Sequence, residues 1–238
     1  MRRVLAILAA GNATRAGVDK VLADLGGRPL LAWSLASGDA AGCFDEVIVV
    51  APNNNLARVI KAVQECAPTA RVIAGGLTRT ASSWAALDAA EGADVLAIHD
   101  AARPFVPPSL FERCISIALA EGSAVAGLPL ADTVRRADEA GAATEEVSRE
   151  GLWSAQTPQV FRRELLVRAR AAAGDRVFSD DAAALVAAGV QPKMVLGERR
   201  NLKITTFEDL AYARELVEKG IVGFPAMNVR SGRSGSDE

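Results

Sequence analysis

The sequence predicts an α/β fold with a mostly parallel, doubly wound sheet. Two observations point there. Short β-branched runs alternate along the chain with Ala-rich helical stretches at the spacing of βαβ units. The strand runs are also continuously apolar, which suits strands covered on both faces. In such sheets a ligand lies beyond the carboxyl ends of the strands.

Taken in order, the first strand is expected over residues 4–8, an unbroken apolar run that stops short of Gly11. Further β-branched or apolar runs bounded by turn residues place strands at 46–51, 71–74, 95–99 and 124–128. Helices are expected at 30–36, 56–67, 80–90, 108–121, 163–173, 179–188 and 206–219. Thr80, Pro108, Ser179 and Thr206 stand at helix starts, and Gly122, Gly174, Gly189 and Gly220 follow helix ends. One segment breaks the rhythm. Residues 132–137 and 145–149 are short, polar-alternating runs around the turn-prone 138–142, and they read as a β-hairpin. Neither run can bury much of itself on the main sheet, so the hairpin either projects to a partner copy or is a mobile surface feature. Residues 1–222 are expected to form one domain, with the arm at about 131–150 and a tail at 223–238 whose Ser/Gly-rich end reads as flexible.

With 238 residues, 50% of them apolar and 24% charged, the chain can bury a substantial core. Lys and Arg total 27 against 29 Asp and Glu, so there is no global basic field and nucleic acid is not expected as a partner. Any phosphate site must be local. The apolar run after Met1-Arg2-Arg3 is too short for a signal segment or a membrane span, so a soluble, cytoplasmic protein with no membrane partner is expected. Cys43, Cys66 and Cys114 lack any pairing pattern and read as reduced packing residues. His99 is the single histidine, which argues against a structural zinc site.

Two segments carry the chemistry. After the first strand come Ala9-Ala10-Gly11-Asn12-Ala13-Thr14-Arg15 and then Lys20. Small residues let backbone N–H groups approach phosphate oxygens, and two cations neutralise charge that backbone dipoles cannot. Small residues in this place also serve helix–sheet packing. The second segment, His99-Asp100-Ala101-Ala102-Arg103-Pro104, sets an acid at a strand's carboxyl end, two small residues and an arginine. Asp100 can hold magnesium together with substrate phosphates, and Arg103 can fork onto a phosphate. The plainer alternatives are a helix cap and a surface ion pair. Trp153 reads as a packing residue, His99 as a satisfied strand-end histidine, Ser179-Asp180 as a helix N-cap, and Arg135-Arg136 and Arg162-Arg163 as surface groups.

Read together, Leu8-Ala9-Ala10-Gly11, Arg15, Lys20, Gly75-Gly76, Arg79, Ser82, His99-Asp100-Ala101-Ala102-Arg103-Pro104, Asp132-Thr133, Gly151-Leu152-Trp153, Gln156-Thr157-Pro158-Gln159, Ser179-Asp180-Asp181-Ala182 and Asn201-Leu202-Lys203-Ile204-Thr205 resemble the 2-C-methyl-D-erythritol 4-phosphate cytidylyltransferases. The blocks keep that family's order over nearly the whole chain. The resemblance implies a nucleotidyltransferase with a Rossmann-like core, a homodimer joined through the projecting hairpin arms, and a magnesium-dependent reaction of CTP with a polyol phosphate. It implies that Ala9, Ala10 and Gly11 line the nucleotide with backbone, that Gly76 and Ser82 meet the cytosine edge, and that Arg79, Asp100 and Ala101 complete the CTP site. Arg15 and Lys20 would act on the triphosphate, with Lys203 assisting, and Asp100 would hold magnesium or the sugar. Arg103, Thr133, Arg149, Thr157 and Lys203 match the contacts to methylerythritol phosphate, with Thr133 and Arg149 reaching in from the second copy's arm.

The chain departs from the family pattern where Ala13 replaces a glycine, Ala16 a methionine and Asp19 a proline, and where Ala81 stands for a frequent acid. A Cβ at residue 13 intrudes on phosphate if the backbone there has positive φ, and Asp19 adds negative charge beside Lys20. Two alternatives therefore stay open: a cytidylyltransferase for another polyol phosphate such as ribitol 5-phosphate, and a catalytically weak nucleotide-binding homologue.

Overall fold

A computed structural model describes residues 1–10 and 20–226. The expectations for Gly11, Ala13, Arg15, Ala16 and Asp19, and for the tail from residue 227, lie outside the described residues.

The central sheet is built from β1 (Arg3–Leu8), β2 (Glu46–Ala51), β3 (Arg71–Ala74), β4 (Val95–Asp100), β5 (Ser123–Pro129), β8 (Trp153–Arg162) and β9 (Lys193–Leu196). Two further strands, β6 (Val134–Ala137) and β7 (Ala143–Val147), form a separate hairpin. The helices are α1 (Leu30–Ala40), α2 (Leu56–Cys66), α3 (Arg79–Ala89), α4 (Pro108–Glu121), α5 (Arg163–Ala173), α6 (Asp181–Ala187) and α7 (Phe207–Glu218). The order across the sheet is β3-β2-β1-β4-β8-β5-β9. All neighbours pair parallel except β8, which runs antiparallel to both β4 and β5.

The two faces of the sheet explain the continuous apolar runs. Along β1, Leu5 and Ile7 enter one core with Leu31 and Leu35 of α1, Val59 and Val63 of α2, and Leu110 and Phe111 of α4. The alternate residues Val4, Ala6 and Leu8 enter a second core with Ala86 and Leu87 of α3, Leu166 of α5 and Leu185 of α6. Successive strand side chains point to opposite faces, so covering both faces demands apolar residues at every position. A third cluster packs Leu210, Ala213 and Leu216 of α7 against Leu30 and Trp33 of α1, with Phe105 from the loop after β4.

Several boundaries differ from the sequence expectation. The strand expected at 95–99 runs to Asp100, and the one expected at 124–128 is widened at both ends. The helix expected at 30–36 continues to Ala40, because Gly38 fits where a Cβ would strike Leu5 and the helix needs no turn there. Thr206 lies just outside α7 as its N-cap, closing a capping box with Asp209. Asp180 caps α6, its side chain accepting from the Ala183 N–H at 2.8 Å, so the helix expected at 179–188 starts at Asp181. In the hairpin the first strand is shorter than expected and the second begins and ends two residues earlier, so Thr133 and Arg149 lie just outside them.

β8 and β9 had no counterpart in the expectation. β8 contains Gln156-Thr157-Pro158-Gln159, and a proline within polar residues argues against an interior strand. The register shows how it is accommodated: Val125 faces Gln159, but Gly127 faces Ala155. The extra residues of β8 bulge out of the ladder there, and a bulge re-aims side chains. β9 has four residues at the sheet edge and is too short to stand out by pattern.

Candidate active site

The carboxyl ends of β1 and β4, joined by loop contacts, enclose a cavity of about 370 Å³ lined by Leu8, Ala10, Val21, Leu77, Thr78, Arg79, Ser82, Asp100, Ala102 and Lys203. Its walls are pinned by backbone bonds. Ala101 N–H donates to Leu8 O at 3.0 Å, Ala9 N–H to Val50 O at 2.8 Å, Gly75 N–H to Ala51 O at 2.8 Å and Ile204 N–H to Ala102 O at 2.8 Å. The last bond ties the segment carrying Lys203 to the loop after β4. A larger apolar groove of about 590 Å³, bordered by Trp33, Phe105 and Val222, lies elsewhere and gathers no comparable charge cluster.

Asp100 is the electrostatic centre. Its Oδ1 accepts from Nε and Nη2 of Arg79, each at 3.3 Å, and its Oδ2 accepts from Nζ of Lys203 at 2.7 Å. Burial alone would raise its pKa, but the charges of Arg79 and Lys203 outweigh it and hold the carboxyl down at about 2. Arg79 Nη2 also donates to Asp181 Oδ2 at 2.8 Å. Burial disfavours the charge on Arg79, and Asp181 and Asp100 more than restore it, raising its pKa.

Behind Asp100 the bulge of β8 delivers Thr157. The Asp100 N–H donates to Thr157 Oγ1 at 3.0 Å, and the same oxygen lies 3.0 Å from Nδ1 of His99. His99 Nε2 lies 3.1 Å from the Arg103 carbonyl, which can only accept, so Nε2 carries the proton and Nδ1 accepts from the Thr157 hydroxyl. Burial lowers the His99 pKa to about 4, so this neutral arrangement persists at neutral pH. The expectation of a satisfied strand-end histidine holds. Thr157, at 3% exposure, has its hydroxyl occupied by this support and does not line the cavity.

Arg103 points its Nη1 at the Asn201 carbonyl, at 2.7 Å, and its Nη2 at the Ala155 carbonyl, at 3.4 Å. Asn201 is itself held by Gln156 Oε1 and the Thr157 carbonyl, at 3.2 and 2.8 Å. Arg103 is thereby fixed beside Asp100 by the same bulge. Ser82 accepts from the Gly76 N–H at 3.2 Å and donates to the Thr78 carbonyl at 3.0 Å, closing the loop that starts α3. That loop needs glycine because a Cβ on Gly75 would sit 2.8 Å from both Ala10 Cβ and Ser82 Oγ. Ala9 and Ala101 are buried beneath the cavity rather than on its surface.

Of the expected site residues, the structure brings together Ala10, Arg79, Ser82, Asp100 and Lys203, with Gly76, Arg103 and Thr157 adjoining through the bonds above. Lys20 is not among the cavity lining; its ammonium donates to the carbonyl of Thr205, two residues beyond Lys203, and it borders a small neighbouring pocket. Lys203 itself lies in the loop between β9 and α7. Thr133 and Arg149 are exposed at the base of the hairpin, where Arg149 donates to the Ala131 carbonyl. Asp181 is the participant that sequence reasoning missed. It stands in the run Ser179-Asp180-Asp181-Ala182 that carries the family resemblance, with no role assigned to it, because no local pattern separates a buried acid from an exposed one in a helix's first turn.

Residues 4–219 match the pattern of the 2-C-methyl-D-erythritol 4-phosphate cytidylyltransferase family. A protein of that name from Deinococcus radiodurans is 44% identical, covering 90% of this chain and 89% of that one. A bifunctional enzyme IspD/IspF from an Anaeromyxobacter species is 41% identical over 97% of this chain, which spans 62% of that relative's length. The crystal structure of a 2-C-methyl-D-erythritol 4-phosphate cytidylyltransferase from Thermus thermophilus superposes with a TM-score of 0.75 at 35% identity, covering 92% of this chain and all of that one. The match therefore takes in every element that builds the cavity, from β1 to α7, and on that ground the chain belongs to the 2-C-methyl-D-erythritol 4-phosphate cytidylyltransferase family.

Proposed function

We propose that this chain is a cytidylyltransferase that joins CTP to 2-C-methyl-D-erythritol 4-phosphate, giving 4-diphosphocytidyl-2-C-methyl-D-erythritol and pyrophosphate in the non-mevalonate route to isoprenoids. The observation that carries the reading is one carboxylate, Asp100, held between Arg79 and Lys203 in a cavity at the strand ends of a chain of this family. In the reaction an oxygen of the acceptor phosphate attacks the α-phosphorus of CTP in line. The bond from that phosphorus to the bridging oxygen breaks, and pyrophosphate leaves. A phosphate monoester is already ionised near neutral pH, so no general base is needed and the protein's task is to position and neutralise two anions.

Arg15 and Lys20 act in this reading on the triphosphate, and Lys203 bridges the two substrates. Lys203 suits that part because its side chain, 42% exposed, is the accessible member of the cluster. The small residues Ala10 and Ala102 admit the nucleotide close to backbone, and the Gly76–Ser82 loop faces the base. A pocket edge of backbone groups and one hydroxyl suits a small pyrimidine. Arg103 takes the acceptor phosphate, and Thr157 supports Asp100 from behind. Thr133 and Arg149 complete the acceptor site from the second copy of a homodimer. The hairpin supports this, since β6 and β7 pair only with each other among the described residues and are almost wholly exposed.

Magnesium belongs to the same reading. Asp100 is the single carboxylate among the described residues lining the cavity, and no cluster of three potential ligands occurs among the described residues. Magnesium is commonly held by one or two carboxylates plus substrate phosphates, and Oδ2 of Asp100, which accepts one bond from Lys203, keeps a second lone pair, so the donor set fits. Bound there, the ion would neutralise phosphate charge. A soluble, cytoplasmic setting is part of the proposal; among the described residues no helix is long and apolar enough to cross a membrane.

Pyrophosphate release with CTP and magnesium, offering methylerythritol 4-phosphate and ribitol 5-phosphate in parallel, tests the reading. Release with the former alone supports it. Release with the latter alone moves the chain to another polyol phosphate, and silence with both leaves a nucleotide-binding homologue.

A further inference from the structure

We propose that Asp181 is a positioning residue of the nucleotide cavity: it anchors Arg79 against the first turn of α6, so that Arg79 cannot collapse onto Asp100 and Asp100 stays open to Lys203 and to the incoming nucleotide. The proposal rests on reading this cavity as the CTP site.

Asp181 is 3% exposed and has Arg79 as its ion-pair partner. An acid so buried is tolerated only with a close countercharge. Nη2 of Arg79 is shared unequally, at 2.8 Å from Asp181 but 3.3 Å from Asp100. A guanidinium facing one carboxylate ordinarily grips it with two short parallel bonds. Here the closer bond goes to Asp181, and Asp100 receives two long ones to a single oxygen. The second oxygen of Asp100 is left for Lys203.

Asp181 can act as an anchor because it is itself held. Gln159 Oε1 accepts from the N–H groups of Asp181 and Ala182 at 3.1 and 3.0 Å, and Gln159 Nε2 donates to Asp180 Oδ2 at 2.9 Å. Gln159 is 1% exposed and stands on β8 opposite Ile98, two residues before Asp100. Through Thr157, β8 also fixes the Asp100 N–H. Both carboxylates that hold Arg79 are thus referenced to one strand, and their separation is set by that strand rather than by the arginine. Asp180 would serve as a plain N-cap without any of this; the buried charge on Asp181 adds nothing to capping.

Removing the Asp181 charge frees Arg79 to take Asp100 fully, in competition with the nucleotide, so the loss should appear in CTP affinity. The experiment measures CTP binding by calorimetry and steady-state pyrophosphate release for the full chain, Asp181→Asn, Arg79→Ala and the double variant. We expect Asp181→Asn to weaken CTP binding and raise its KM by about tenfold while kcat at saturating CTP changes less than about threefold. In the Arg79→Ala background the same substitution should change CTP affinity by less than about twofold, because its effect passes through the arginine. Additive losses in the cycle, or a fall in kcat with KM unmoved, would overturn the proposal. If Asp181→Asn does not fold, Asp181→Glu keeps the charge and displaces it by one methylene: a loss of affinity that Arg79→Ala abolishes supports the anchor, and unchanged affinity overturns it. A wild-type chain that binds no CTP sinks the functional reading and this one together, whereas a wild type that binds CTP with additive variants sinks this one alone.

Discussion

At the scale of single residues, the site turns on how charges are shared. Lys20 donates to the Thr205 carbonyl and lies outside the packed cores, so its removal should leave folding almost untouched. Lys20→Ala is expected to lower kcat by about two orders of magnitude, as for a group that stabilises charge only in the transition state, with the urea midpoint shifted by less than about 0.5 kcal/mol equivalent. An unchanged kcat in the pyrophosphate assay would remove Lys20 from the reaction. The buried pair His99–Asp100 sets a pH signature of stability. His99 has its pKa lowered from 6.5 to about 4, chiefly by burial, so the unfolded chain binds its proton first, and stability falls as pH drops from 6.5 through 4. Asp100 is lowered from 3.8 to about 2 against the opposing effect of burial, so the stability it adds is present above 3.8 and is lost as pH falls through 2. Urea unfolding across this range should show a slope between pH 6.5 and 4 that His99→Gln flattens. An identical slope in the variant would place the loss elsewhere.

At the scale of elements, β8 and the hairpin carry the consequences. The bulge of β8 sends Thr157 under Asp100, Gln156 and the Thr157 carbonyl to Asn201, and Gln159 to the start of α6. One strand thereby fixes three separate chain segments around the cavity. The hairpin does the opposite: its inter-strand ion pairs Arg135–Glu146 and Arg136–Glu145 are exposed and contribute little. Its value in the proposed function lies in what it carries to a second copy. Arg149→Ala is therefore expected to raise KM for the polyol phosphate by at least about tenfold while CTP affinity measured by calorimetry stays within about twofold. Equal losses for both substrates would mean that the arm does not form the acceptor site.

At the scale of the whole molecule, two packed faces make the sheet rigid enough to hold the strand ends in register. Phe111 of α4 is fully buried and meets Phe44 edge-on at 5.5 Å and the His99 ring at 5.3 Å, so the core reaches directly to the support of Asp100. Phe111→Ala should cost about 3–5 kcal/mol in urea unfolding, the range for deleting a buried aromatic side chain, with activity falling in step with the folded fraction. α1 turns two fully buried hydroxyls to the loop after β4: Ser34 donates to the Ala101 carbonyl at 3.3 Å and Ser37 to that of Val106. These bonds explain how an all-round buried helix keeps two serines.

The periodicity of apolar residues was enough to place five of the seven strands of the main sheet and all seven helices, since a strand covered on both faces and a helix with one packed stripe leave local marks. The strand-end segment at Asp100 was legible for the same reason, whereas Gly76 and Ser82 were legible only through the family resemblance, whose motifs keep their order along the chain. β8 was not, because its polar residues and proline are paid for by contacts with β4, β5 and the loop at Asn201 that exist only once the chain has folded. Nor was the charge on Asp181, which local sequence cannot separate from its capping neighbour Asp180. Sequence determined which residue types stand at the strand ends; tertiary structure decided which of them share a countercharge, because Arg79, Asp100, Asp181 and Lys203 come from four separate parts of the chain and burial of their charges has meaning only where those parts meet.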